Sequence, residues 1–139
     1  MNTPTEWISA LAALLSVFTA LVSFFSFIRF SKSHNEIEIM KILLEQRNNY
    51  FDVVKDKSID KKSNIYNAAV ENFLNAFEYA VRFYDLKKIN QKWFILTFKD
   101  DIKLYLTENI DVKKIFEDNK TDFKALNKFL NTVILNPNK

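Results

Sequence analysis

The chain has 139 residues, enough for one modest domain plus an anchor, and it contains no Gly, no Cys, two Pro and one His. Without Cys there are no disulfides, thiolate metal sites or cysteine nucleophile, and His34 alone leaves little room for a His-based metal site or a Ser–His pair. The 20 basic and 17 acidic residues leave a net charge of +3, too mild for a dedicated nucleic-acid binder. The lack of Gly excludes a Gly-rich phosphate loop and disfavours tight hairpin turns, so the composition predicts an all-α fold.

In chain order, residues 1–6 read as a short tail, and residues 7–30 are apolar with a single charge, Arg29, near their end. At 1.5 Å per residue this stretch extends about 36 Å, sufficient to cross a hydrocarbon core of about 30 Å with some tilt. Trp7 marks its outer edge as an interfacial aromatic. A cleaved signal peptide needs a basic start and a shorter apolar run, whereas this chain opens with Asn2, Thr3 and Glu6. Arg29 and Lys32 flank only the C-terminal end. The positive-inside rule then predicts a bacterial inner-membrane protein with its N-terminus outside and residues 31–139 in the cytoplasm.

Within the apolar stretch, Ser9, Ala12, Ser16, Thr19, Ser23 and Ser26 recur at spacings of three and four, which is one face of a helix. Lipid asks for no such stripe, whereas small and hydroxylated residues let helices approach and hydrogen-bond across a contact. The pattern predicts a homo-oligomer. Its stripe is either a dry packing seam or, in four or more copies, a hydroxyl-lined path for water and ions.

The register continues beyond the apolar stretch. Counting in sevens from Ser23 gives Phe30, Ile37, Leu44 and Phe51, and from Ser26 gives Ser33, Met40, Arg47 and Val54. This predicts one nearly continuous helix over 5–54, coiled-coil-like over 31–56 and supercoiled left-handedly with its partners. Phe30, at the inner end of the stripe, is a candidate apolar gate that closes by dewetting. Ser33-His34-Asn35-Glu36 is also a capping box, able to start a separate helix. Arg47 in a core position is either a register-setting polar group or a point where the seam splays. Ile39, Ile42 and Leu43 fall off the seam and are expected to pack on the C-terminal domain.

Residues 57–63 form a polar linker, and residues 64–135 are expected to make a bundle of three or four helices before a tail at 136–139. The first helix carries Tyr66, Val70, Phe73, Leu74, Phe77, Ala80, Val81 and Tyr84 on one broad face. Asn90 can cap a second, containing Trp93, Phe94, Phe98, Ile102 and Tyr105. After a break over 107–111, a short helix passes through Val112, Ile115 and Phe116. Thr121 or Asp122 can cap the last one, with Phe123, Leu126, Phe129, Leu130, Val133 and Ile134 on one face. Fourteen Phe are used, and most of those beyond the anchor must be core.

Catalytic chemistry finds little support. Glu71, Glu78 and Arg82 share one side of a helix and read as a solvated ion-pair face. The adjacent Asp100 and Asp101 point about 100° apart, a poor hydrolytic pair. His34 is expected in the headgroup layer. Lys87, Lys88 and Lys92 with Tyr84 and Trp93 form a small basic and aromatic cluster, a candidate site for a nucleotide or oligonucleotide signal bound by charge and stacking. The reading is not an enzyme, and no cofactor or metal is expected.

The stretch Leu74-Asn75-Ala76-Phe77-Glu78-Tyr79-Ala80, followed by Ile89 and by Trp93-Phe94 through Phe98 to Tyr105, resembles a family of small bacterial membrane-anchored helical proteins. Many of these lie among prophage or phage-defence genes. The likeness covers roughly residues 65–135, and the family has no established activity, so it implies fold and setting only. Its members commonly place a Gly or an acidic pair in the turn after this helix, where Lys87-Lys88 stands here.

Two functions follow as expectations. In one, the cytoplasmic domain binds a ligand or partner and opens a homo-oligomeric, hydroxyl-lined pore, as a membrane effector in phage defence. In the other, a membrane-tethered adaptor docks a soluble protein partner without conduction.

Overall fold

The computed structural model describes the backbone of residues 4–137 and the side chains of residues 12–137. The expected roles of Trp7 and Ser9, and most of both terminal tails, fall outside the described side chains. Every regular element among the described residues is helical.

Helix α1 runs unbroken over Pro4–Lys55, about 78 Å at 1.5 Å per residue. Nothing between its two ends breaks it, because neither Pro nor Gly occurs there. The Ser33-Glu36 capping box starts no separate helix; Glu36 instead accepts the backbone N–H of Asn90 at 2.8 Å. After a loop over 56–63, α2 (Asn64–Asp85) returns along the lower part of α1. Ser63 caps α2 by accepting from the Tyr66 N–H. Helix α3 (Gln91–Lys103) starts at Asn90, which accepts from the Trp93 N–H at 3.1 Å as expected. A wide π-type turn over Leu104–Glu108 leads into α4 (Ile110–Asp118), capped by Asn109. Helix α5 (Lys124–Phe129) and a second π-type segment, Leu130–Leu135, close the bundle.

The core is aromatic. Phe73 on α2 stacks on Tyr50 of α1 with centroids 5.3 Å apart and meets Tyr105 edge-on at 4.7 Å. Ile39 and Leu43 are also buried there, so residues that fall off the heptad positions supply the fully buried part of α1, while Met40, Ile42 and Phe51 pack against the core half-buried. Asn109 ties the same helix to α4 by donating to the Tyr50 hydroxyl.

Two local features depart from the sequence reading. Neither Thr121 nor Asp122 caps α5, whose N-cap position is Phe123 with no side-chain hydrogen bond. The cap comes from Glu78, far away in sequence, which accepts from the N–H groups of Ala125 at 3.2 Å and Leu126 at 2.8 Å. Glu78 does pair with Arg82 at 2.9 Å, but it is buried and not part of a solvated face. The second feature is the end of α2. The Lys88 N–H donates to the Phe83 carbonyl and the Lys87 N–H to the Tyr84 carbonyl, a Schellman closure with Lys87 at φ 55°. Gly takes that conformation freely; in this chain without Gly, a lysine bears the strain.

Candidate functional site

Helix α1 has two faces with different fates. Ile39, Leu43 and Tyr50 turn into the bundle and are 1%, 5% and 3% exposed. At about 100° per residue, Ala12, Ser16, Thr19, Ser23, Ser26, Phe30, Ile37 and Leu44 project to the opposite side. Phe30 and Ile37 are accordingly 72% and 65% exposed. The small and hydroxylated stripe and the large apolar positions below it therefore share one face that no part of this chain covers. A strict seven-residue repeat drifts about 20° per heptad on a straight helix. Descending α1, the seam therefore rolls toward α3: Met40, Arg47 and Phe51 are half-buried, while Ile37 and Leu44 stay outside.

Residues 12–30 are exposed throughout, and α1 is long and apolar enough to cross a membrane. The Ser16 hydroxyl donates to the Ala12 carbonyl at 2.9 Å and the Thr19 hydroxyl to the Leu15 carbonyl at 2.8 Å. These bonds satisfy the donors in an apolar surrounding and leave each oxygen free to accept from a neighbour or from water.

Arg47 lines a cavity of about 150 Å³ with Met40, Leu44, Thr97, Asp101 and Tyr105. Its Nε is buried without a hydrogen-bond partner. Burial, and then the negative charge of Asp101, push the Tyr105 hydroxyl above its ordinary pKa.

The basic and aromatic cluster divides. Lys87, Lys88 and Lys92 are exposed around the α2–α3 turn, and Lys32 of α1 borders the same depression as Lys87 and Lys92. Tyr84 and Trp93 turn away into packing: Tyr84 meets Phe94 at 5.4 Å and Phe129 at 5.1 Å, and Trp93 meets Phe98 at 5.6 Å. Burial raises the Tyr84 pKa accordingly. Lys32 was readable in the sequence only as a topology marker; its approach to Lys87 depends on α2 folding back along α1.

Asp111 accepts from Lys61 Nζ at 2.8 Å and from the Tyr66 hydroxyl at 3.0 Å. The Lys61 ammonium holds its carboxyl below the ordinary value, against the opposing effect of burial. Among the described residues, no three His, Cys, Asp or Glu side chains are grouped to hold a metal ion. Asp100 and Asp101 are both exposed.

The chain matches no protein-family model, no curated protein and no solved structure.

Proposed function

We propose that this protein is a homo-oligomeric, single-pass inner-membrane protein whose α1 helices assemble in four or more copies around a hydroxyl-lined path. The N-terminus lies outside, and the helical domain is cytoplasmic and controls the path. The observation that carries this reading is the shared face of α1: the stripe from Ala12 to Ser26 continues into exposed Phe30, Ile37 and Leu44, opposite the side on which the bundle packs. Copies can meet along that face while their bundles stand outside the assembly. In lipid, small residues favour close helix packing, and below it large apolar residues gain from leaving water.

Ser16, Thr19 and Ser23 would line the path, and Phe30 would close it at the inner end. A ligand or soluble partner on the cytoplasmic domain would shift α1 below Phe30 and so move the gate. A membrane effector of bacterial phage defence is the setting in keeping with the family resemblance.

The intrahelical bonds of Ser16 and Thr19 favour a second reading. Hydroxyls already satisfied by their own helix fit a dry seam equally well, and the protein is then a tethered adaptor for a soluble partner. Oligomer number and tolerance to substitution separate the two. The stoichiometry of the full chain in lipid nanodiscs should be four or more, and Ser16→Leu with Ser23→Leu should abolish function. A dimer that tolerates both substitutions identifies the adaptor.

A further inference from the structure

We infer that the turn between α2 and α3 is a docking surface for anionic phospholipid headgroups, an inference that rests on α1 spanning a membrane. Helix α2 brings the chain back to the level at which the apolar stretch of α1 ends. Phe83 and Lys88 border one depression together with Phe27, Ile28 and Lys32. Two hydrogen bonds fix the turn to α1: Asn35 Nδ2 donates to the Lys88 carbonyl at 2.9 Å, and the Asn90 N–H donates to Glu36 Oε1 at 2.8 Å. Asn35 follows Arg29 by six residues, about 9 Å along the helix. The headgroup layer of one leaflet is roughly 5–8 Å deep, so the turn stands against it.

The chemistry of the turn suits that position. Lys32, Lys87 and Lys92 surround a second depression whose remaining lining is Ile89, Asn90 and Gln91, without a carboxylate. Asp85 is drawn away to Lys128 at 3.0 Å, and Glu36, at the edge of the turn, accepts from the Asn90 N–H. Leu86, between the lysines and the end of α2, is 64% exposed. An exposed apolar side chain that precedes Lys87 and Lys88 in one turn fits the boundary between acyl chains and phosphates, where lysine stems lie along the apolar layer and their heads meet anionic oxygen. A soluble nucleotide would need an aromatic platform, and Tyr84 and Trp93 are committed to packing. Each lysine at an anionic surface contributes about a fivefold preference, so three together contribute about a hundredfold, weakened by salt.

The chain has no Cys, so Leu86→Cys offers a single site for a nitroxide label, and Val17→Cys serves as the control. The full chain is reconstituted in vesicles of phosphatidylcholine alone, or of phosphatidylcholine with about one third phosphatidylglycerol. Collision with a water-soluble paramagnetic reagent then reads exposure. The Leu86 label should be shielded only in the anionic vesicles, and Lys87→Gln, Lys88→Gln and Lys92→Gln together should restore its exposure. Equal exposure of Leu86 in both vesicles, with the Val17 label buried, overturns the docking surface and leaves the spanning helix standing. A water-exposed Val17 label overturns the spanning helix itself and the inference with it. Shielding of Leu86 produced in phosphatidylcholine vesicles by added inorganic pyrophosphate would assign the lysines to a soluble anion instead.

Discussion

Glu78 is the residue on which the closure of the bundle depends. The residue is 5% exposed, and its carboxylate accepts from the backbone N–H groups of Ala125 and Leu126 and from Arg82 Nε. Helix α5 spans only Lys124–Phe129 and has no side-chain cap of its own, so these bonds replace one. Hydrogen bonds to a charged group contribute about 1.5–3 kcal/mol each, and a buried donor left unpaired costs about 1–3 kcal/mol. Glu78→Ala strands two backbone donors but also relieves the burial of a charge, and the net loss should be about 3 kcal/mol. At tenfold per 1.4 kcal/mol, that is a rise of roughly two orders of magnitude in the exchange of α5 amides, measured by hydrogen exchange on the full chain in nanodiscs. Glu78→Gln should fall between, because its amide nitrogen cannot accept from a backbone N–H. Arg82→Ala should change exchange only a few-fold, since Arg82 is largely exposed and such pairs contribute about 0–1 kcal/mol. Glu78→Ala exchange within about twofold of the parent protein would refute the assignment of the cap to this carboxylate.

Three further outcomes are expected. Lys87→Gly removes the left-handed strain at φ 55° and should stabilise the bundle by about 1 kcal/mol, read as a higher thermal midpoint. Phe73→Ala deletes the ring that Tyr50, Phe77 and Tyr105 pack against and should cost about 3–5 kcal/mol in denaturant titration. The Asp111 carboxyl titrates below its ordinary 3.8 because of Lys61 and Tyr66. The stability it contributes is complete above that value and is lost as pH falls through the lowered folded value. Asp111→Asn should therefore flatten the acid limb of a stability–pH curve below about pH 4 and leave the limb above it unchanged in shape.

Much of the architecture was legible because the signals were strong and local. The apolar run, the absence of helix breakers and the cap Asn90 each act within a few residues, and α1, α2 and α3 form where those patterns set them, with Ser63 of the polar linker adding a cap to α2. That Phe30, Ile37 and Leu44 share one side of α1 follows from their spacing. That Met40 and Arg47 turn toward a cavity also lined by α3 is not local, because it depends on how far a straight helix drifts from a seven-residue repeat. Glu78 was misread for a related reason. Its i,i+4 spacing to Arg82 is a local pattern satisfied on a solvated helix, while its burial and its bonds to Ala125 and Leu126 are set by a distant segment. The lysine cluster divides on the same principle: Tyr84 and Trp93 are neighbours of the lysines in sequence, but the side of a helix on which each lies packs it, half-buried, against the core.

If the α1 helices of several copies enclose a path closed at Phe30, the conductance of purified full-length protein in a planar bilayer should separate the parent chain from Phe30→Ser. Removing the apolar gate should give persistent discrete current steps, and adding Ser16→Leu and Ser23→Leu should abolish them. A Phe30→Ser protein as silent as a bare bilayer, or one whose currents survive both leucines, would show that these helices do not enclose a hydroxyl-lined path.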